Sequence, residues 1–596
     1  MDFKIIYNDN KSTQIEQAIK MLASWIGEAV PISNNTFIFL TIQNNSKKIE
    51  KLNLNEANNL KKIDDFLIYR DNRNIQNTET QIYILAIGDR GLANGLYHLY
   101  MKLKEQQTQN PFSINWNVFE SPFFEMRCMM VNMSYGLDDL STENWTLSQW
   151  KRYFNRLRSF NYTSIMFIMT SFVIYHPDYE ELEKNSWRYD VYDKLFKYAK
   201  EIGLEIILFH VFNALPTELW IKFPDIRAEI FLYQGITHCT QKGKNVGDKL
   251  LNYTLKRFKN VSSHALITFE AGGCNCEYCR NNLADLIVEY LNFIKENGNS
   301  ERLFFMTWFA NVKEYFDIPP IKGLRDQLFS KIPKEVKILD ITRKTLKMAI
   351  DQGYEVYDFV FLLDPEGGVE SQLIFPKPHI NLLKERISDS IRALGSNLKG
   401  MVGYRVLPKT RFIDDYAFCR YLWNPEIAGK DIISEVAGLL ASSINEKQSI
   451  INAIQLLEDF WTSFDGNKLK ESNKILEVVV KQQNEVPEPL KSIQEATKIL
   501  YLLFHYSSVD SERLKDRIVH KIFQSMREMD TFQCYTSYNF WDFRSFEMIK
   551  QRIGWWTDSG IGLFDPKSYP WNSHLKGKYN LVDTKEDAFL WMKGKE

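Results

Sequence analysis

Several common protein classes are excluded by what this chain of 596 residues has little of. Cysteine is sparse and odd in number, at seven, so the chain is not a disulfide scaffold. Charge of one sign is missing: 74 Lys and Arg almost cancel 75 Asp and Glu, leaving −1. A protein held to nucleic acid by electrostatics shows a basic excess or stripe, and none is present. No window approaches 18 uninterrupted apolar residues, which argues against a transmembrane helix. The opening Met1-Asp2-Phe3-Lys4 lacks the basic-then-apolar layout of a signal peptide, so a cytoplasmic location is expected. No glycine-rich phosphate fingerprint follows any strand-like run, so no dinucleotide or other organic cofactor is expected.

What the chain does have is aromatic residues (14%) and three regions of different period. Residues 1–118 read as a small α/β unit. A helix over 12–26 carries Ile15, Ala18, Ile19 and Leu22 at near-helical spacing, with Ser12 as N-cap. Apolar runs at 36–42 and 81–87 read as strands, and a second helix follows over 92–104. The polar stretch 105–110 reads as a linker. Residues 119–415 alternate short apolar runs with amphipathic helices. Eight strands are predicted, at 124–133, 162–169, 204–212, 265–270, 302–309, 336–341, 357–363 and 401–406. Eight strand–helix units are the arithmetic of a (β/α)8 TIM barrel, with an open doubly wound sheet as the alternative. The fifth and sixth helices give the weakest signal. Residues 416–596 read as a mostly helical domain, with helices over 431–442, 447–461, 469–483, 490–505 and 512–527. The last 65 residues hold Trp541, Trp555, Trp556, Trp571 and Trp591, too aromatic a tail for disorder. The fold class is thus α/β: a small α/β domain, a TIM barrel and a helical domain. The tail is expected to pack on the barrel or across a homodimer.

A barrel of this kind works at the C-terminal ends of its strands. The polar residues there are Asn132 and Tyr135, His210 and Asn213, Glu270, Trp308 and Asn311, Asp340 and Arg343, Asp364 and Glu366, and Tyr404 and Arg405. Two carboxylates flanking a sugar, with an aromatic floor, are the equipment of glycoside hydrolysis. Glu270 is the sharpest candidate for the acid, because it ends the apolar run Ala265-Leu-Ile-Thr-Phe-Glu270 and precedes Ala271-Gly272-Gly273. Apolar walls keep such an acid protonated, and small residues let substrate approach. The plain alternative is a carboxylate salt-bridged inside the barrel. Asp364 or Glu366, beside the turn marked by Pro365 and Gly367-Gly368, is the candidate nucleophile or base, and Asp340 is a second option. His210, Asn213, Trp308, Asp340, Tyr404 and Arg405 are the candidate substrate contacts. A histidine such as His210 on a strand is often simply a hydrogen-bonded core residue, and the tail tryptophans are more often core than sugar platform.

Cys274, Cys276 and Cys279 form a Cys-x-Cys-x2-Cys cluster. Three thiols in six residues point to metal, and a structural zinc wants a fourth ligand. Cys239 is the first choice and its neighbour His238 the second. Free thiols at a helix start are the alternative. Cys128, Cys419 and Cys534 are isolated, and burial is expected for them.

Ala86-Ile-Gly-Asp-Arg-Gly91 followed by Gly95-Leu-Tyr97 resembles the accessory domain that precedes the barrel in family 20 β-hexosaminidases and family 67 α-glucuronidases. Ser121-Pro122-Phe-Phe-Glu-Met-Arg127 resembles the lead-in to the first barrel strand there. Tyr421-Leu-Trp423-Asn-Pro425 resembles the post-barrel segment of the α-glucuronidase-like group. The cysteine cluster resembles the zinc site of family 42 β-galactosidases, which implies Cys239 as its fourth ligand. That likeness implies Glu270 as acid and Asp364 or Glu366 as nucleophile. The chain departs from both patterns: Phe269-Glu270 stands where family 20 has Asp-Glu and family 42 has Asn-Glu. The family 20 aspartate that polarises the substrate acetamide is therefore missing.

The leading expectation is an exo-acting glycoside hydrolase for a glycoside such as a β-N-acetylhexosaminide or a uronide. A non-catalytic carbohydrate-binding barrel is the alternative, and it predicts no turnover. A metal-dependent hydrolase is a third reading, disfavoured by the few histidines at strand ends.

Overall fold

A computed structural model describes residues 4–7, 12–26, 36–41, 45, 55–71, 80–131, 145–169, 173–211, 216–226, 240–267, 277–298, 300–307, 324–361, 378–405, 411–463, 465–507 and scattered positions between 511 and 521.

The first region is a five-stranded sheet in the order β1-β2-β4-β3-β5. Its strands are β1 (Lys4–Tyr7), β2 (Thr36–Thr41), β3 (Phe66–Asp71), β4 (Gln81–Ala86) and β5 (Asn117–Glu120). β1, β2 and β4 are parallel, while β3 runs antiparallel to β4 and β5. The helices Thr13–Ile26 and Asp89–Glu105 cover one face, packing Ile15, Ala18, Leu22 and Leu96 on Phe37, Phe39, Phe66 and Ile84. Gly95 lets the second helix lie flush, since a Cβ there would sit 2.6 Å from the Ile84 side chain. Two strands were expected where five are found. Residues 105–110 are no free linker. Gln107 takes a left-handed φ of 51°, and Gln107 N and Thr108 N close the helix end on Lys104 O and Leu103 O. Trp25 and the later helix Gly429–Leu440 then bond to this turn, through Thr108 O and through Gln107 to Gly438 O.

The second region is a closed eight-stranded barrel. Its strands are β6 (Met126–Val131), β7 (Ser164–Met169), β8 (Glu205–Val211), β9 (Ser263–Ile267), β10 (Arg302–Met306), β11 (Lys337–Asp340), β12 (Val356–Phe361) and β13 (Leu398–Arg405). All neighbours are parallel, and β13 closes the ring on β6 with Val402 opposite Cys128. The strands are short runs of almost wholly buried residues, as parallel strands covered on both faces must be. Each strand is followed by a helix on the outside. These are Leu147–Ser159, Ser186–Glu201, Gln241–Arg257, Glu277–Asn297, Leu324–Lys331, Arg343–Asp351, Ile380–Leu394 and Phe412–Trp423. The fifth and sixth are only 8 and 9 residues long, which is why their periodicity was faint. The eighth runs past residue 415, packs on β6 and β13, and belongs to the barrel.

The third region holds the helices Gly429–Leu440, Ile444–Ser463, Gly466–Gln482 and Glu488–Ser507. Most of 512–527 and the whole tryptophan-rich tail lie outside the described residues.

Two buried ionic nodes join the regions. Asp64 accepts from Arg90 (2.8 and 2.6 Å) and Asn94 (3.1 Å) and pairs with Arg127 of β6 at 3.3 Å. Arg158, at the end of the first barrel helix, donates to Asn94 and to Arg90 O. Arg127, Ile202 and Gly203 belong to the starts of β6 and β8 or the turns before them, and Arg158 to the end of the helix that leads into β7, so the small domain docks on the strand N-terminal side, away from the mouth. At the second node Glu435 of the third region accepts from Arg420 (2.9 Å) and Tyr416 (2.8 Å) of the eighth barrel helix and pairs with Lys102 of the first region (3.3 Å). Among the described residues, no helix is long and apolar enough to cross a membrane.

Candidate active site at the barrel mouth

Which side chains face the lumen follows from one ion pair and strand alternation. Arg302 of β10 pairs with Glu205 of β8 across Ser263 of β9. Arg302 also acts electrostatically on Cys128 of β6, the strand directly opposite in the ring. Phe167 of β7, in the opposite alternation set, meets Trp150, Tyr192 and Phe196 of the helix layer, so the set that holds Arg302 and Glu205 faces the lumen. With Arg302 inside, a period of two puts Phe304 and Met306 inside with it. Register carries the pattern round the ring. Ring contacts between strands agree: Phe304 meets Tyr357 at 5.2 Å and Phe359 meets Tyr404 at 5.7 Å.

The lumen is therefore polar at its base and apolar above. The base holds Glu205, Arg302, Ser164 and Ser263. Toward the strand C-termini come Met130, Ile168, Phe209, Ile267, Met306, Leu339, Phe359 and Tyr404, all buried. Among these the Tyr404 phenol is the one hydroxyl. Packed side chains fill the barrel, so a ligand has to sit above them at the mouth.

The outward positions hold the remaining polar groups. His210 and His264 stack at 5.4 Å, with His210 Nε2 3.1 Å from His264 Nδ1 and His264 Nε2 2.9 Å from Gly298 O. Because Gly298 O only accepts, His264 carries its proton on Nε2 and His210 donates to His264 Nδ1. Burial holds both neutral: His210 lies well below the usual histidine range, lowered further by His264, and His264 falls to about 4. Asp340 is fully buried and accepts from Thr307 Oγ1, from Thr342 N (2.6 Å) and from Thr342 Oγ1 (2.7 Å). Asp358 stands beside Asp340 in register and accepts from Arg386 (2.9 Å) and Ser390. Burial pushes Asp358 up to about 6, a rise that Arg386 and Ser390 reduce without cancelling.

Of the residues singled out from sequence, Tyr404 lines the lumen. His210 and Asp340 do not: their partners turn them to the helix layer, away from a ligand in the mouth. Arg343 pairs with Asp389 at 3.4 Å on the same outer side. Glu270, Asp364, Glu366, Asn213, Trp308, Cys239, Cys274 and Cys276 lie outside the described residues, as do the side chains of Arg405 and Cys279. Cys128 and Cys419 are buried. Among the described residues no group of three or more His, Cys, Asp or Glu is placed to hold a metal. Sequence reading missed Asp358 and Arg386. A lone carboxylate inside the strand Val356–Phe361 was the available signal, since a buried charge needs a partner.

No family model matches the chain, and no curated protein matches it. Solved structures do. A GH138 enzyme targeting pectin rhamnogalacturonan II superposes with a TM-score of 0.56 at 9% identity, over 89% of this chain and 92% of that one. CpGH84B gives 0.50 at 12% identity, over 93% and 96%. A β-hexosaminidase from Streptomyces plicatus gives 0.49 at 8% identity, over 75% and 91%. At these identities the likeness to the first two is one of fold, and it spans nearly the whole of both chains.

Proposed function

We propose that the chain is an exo-acting glycoside hydrolase, cleaving a terminal sugar such as a β-N-acetylhexosaminide or a uronide. One observation carries the reading: the lumen is closed by apolar packing, so chemistry belongs to residues just beyond the strand ends, and the carboxylates lie there in the sequence. Glu270 follows the last residue of β9 by three positions, and Asp364 and Glu366 follow β12 by three and five. The fold shared with a GH138 enzyme supports the same class.

In this reading Glu270 protonates the glycosidic oxygen as the bond to the anomeric carbon breaks. Asp364 or Glu366 either attacks that carbon or takes a proton from the attacking water. Retention needs the carboxyls about 5–5.5 Å apart, and inversion about 6.5–9.5 Å. Tyr404, at the rim with its ring beside Phe359, offers a face for the sugar, with Trp308 as a second platform. Asn213 and Arg405 bind hydroxyls or a sugar carboxylate. Cys274, Cys276 and Cys279, by their spacing, and Cys239 as fourth ligand form a structural zinc set. Elemental analysis should then find one zinc per chain, and a chain without it would retire that part.

The test is hydrolysis of aryl β-N-acetylhexosaminides, galactosides, glucosides and glucuronides, with rhamnogalacturonan II oligosaccharides added, by wild type and Glu270→Gln. Turnover of one member should fall by about 10²–10⁴-fold in the variant, the usual contribution of a general acid. Equal turnover in both proteins would remove Glu270 as the acid. No turnover with measurable sugar binding would favour a binding protein instead.

A further inference from the structure

The outer face of the barrel is not uniform near its mouth. At the ends of β6 and β7 the positions turned to the helices are apolar: Met129 and Val131, Phe167 and Met169. At the ends of β10 and β11, and at Asp358 in the middle of β12 beside them, they form a continuous polar belt. Thr307, one residue beyond β10, donates its hydroxyl to Asp340 and its backbone N–H to Leu339 O (3.0 Å). Asp340 ends β11 and also gathers Thr342, whose hydroxyl lies 2.7 Å from that of Thr345. Arg386, on the helix Ile380–Leu394, donates to Ile341 O just past β11 (3.2 Å) and to Asp358 of β12 (2.9 Å). Both carboxylates are fully buried. Burying two of them is unfavourable unless hydrogen bonds repay it, and an apolar belt would have packed this surface as it does at β6 and β7. The belt joins the exits of β10 and β11 to the middle of β12. The sequence runs on from β10 to Trp308 and from β12 to Asp364 and Glu366.

We propose that Asp340 and Arg386 are positioning residues of the reaction assigned above, fixing the exits of β10 and β11 relative to one another and to the body of β12 from outside the ring. They touch no substrate; they act through Thr307 and Ile341 on the backbone that leads into the mouth. The inference rests on the glycosidase reading for its kinetic consequence but not for its structural one.

The experiment uses the full chain, with Thr307→Val, Asp340→Asn and the double variant. Thr307→Val keeps the side-chain shape and removes one hydroxyl, so it tests the belt if Asp340→Asn folds poorly. Kinetics are measured well below the unfolding temperature, on the glycoside that wild type hydrolyses. The expected result is a kcat lowered by about tenfold to hundredfold with KM little changed, as for a misplaced reacting group. The pH profile of kcat/KM should keep its shape, and the double variant should be no worse than Asp340→Asn, because both changes break one linkage. Hydrogen exchange at Thr307 and at 341–345, read without substrate, should quicken in each variant. A kcat within about twofold of wild type in both single variants overturns the proposal. If wild type hydrolyses nothing, the glycosidase reading fails on its own, and the exchange decides: unchanged rates at both exits overturn the belt.

Discussion

Asp64 shows how much a single side chain can fix. It is buried, and burial alone would push its carboxyl up. The guanidiniums of Arg127 and Arg90 override that, with hydrogen bonds from Arg90 and Asn94, and hold it at about 2, below the ordinary 3.8. A carboxyl whose folded pKa is depressed contributes stability above its unfolded pKa and loses it as pH falls through the folded value. For Asp64 the window runs from about pH 4 down to about 2, and the contribution is roughly 2 kcal/mol. Asp64→Asn should therefore flatten the acid limb of a stability–pH profile. At pH 7 it should cost about 3–5 kcal/mol by urea denaturation, because Arg127 is left buried without its charge partner. An unchanged midpoint would show that Arg158 and Asn94 hold the joint without it. Asp358 has the opposite sign. Its carboxyl is raised to about 6, so its contribution is fullest below about pH 4 and is lost as pH rises through 6.

At the scale of elements, the first barrel helix starts on a reciprocal cap. Gln149 N donates to Thr146 Oγ1 (3.3 Å), and Thr146 N donates to Gln149 Oε1 (2.7 Å). Thr146→Ala removes one half and should cost about 1 kcal/mol. Thr146→Ser should restore most of it; a Ser variant as weak as Ala would show that the methyl group, not the cap, mattered. Elements of this kind were legible in proportion to their length and burial. All eight barrel strands were readable because each is an apolar run bounded by polar turns. β5 has four residues, Asn117-Val-Phe-Glu120, alternating exposed and half-buried, and its pattern is too short to stand out. β3 was missed although Phe66-Leu-Ile-Tyr69 is apolar, since Arg70 and Asp71 break the run. The pairing that makes it a strand comes from Ile82–Ala86 and Val118–Glu120, which lie elsewhere in the chain. The facing of His210 and Asp340 was also beyond sequence. A residue at a strand end lies inside or outside according to a register that only the closed ring sets.

For the whole molecule, the segments that carry the family resemblance meet in space, and they meet at the joints. Arg90 binds Asp64, and Phe123 N and Phe124 N donate to Trp423 O and Leu422 O. Arg127 lies over the Trp423 ring at 4.9 Å, and Trp423 donates to Glu120. The resemblance thus reads how the regions are assembled, which is why it predicted the architecture well and left the sugar open between a β-N-acetylhexosaminide and a uronide. The same geometry makes Glu435 the point where all three regions are tied. Its carboxyl, which burial alone would raise, is held at about 2 chiefly by Arg420 and Lys102. Gly438, one turn on, lies so close to Glu105 that a Cβ would come 2.5 Å from its Cα, so the contact tolerates little slack. Glu435→Ala leaves Arg420 buried without its anion and should cost about 3–5 kcal/mol. The loss should appear in a particular place. Amide exchange should rise together in Asp89–Glu105, Phe412–Trp423 and Gly429–Leu440, while β8 and β9, remote from the node, keep their protection. Acceleration confined to Gly429–Leu440 would mean that the helical region docks independently and that Glu435 is a local anchor. Acceleration across all three segments would mean that Glu435 ties the small domain, the eighth barrel helix and the helical region into one cooperative unit, so that loosening any one of them loosens the others.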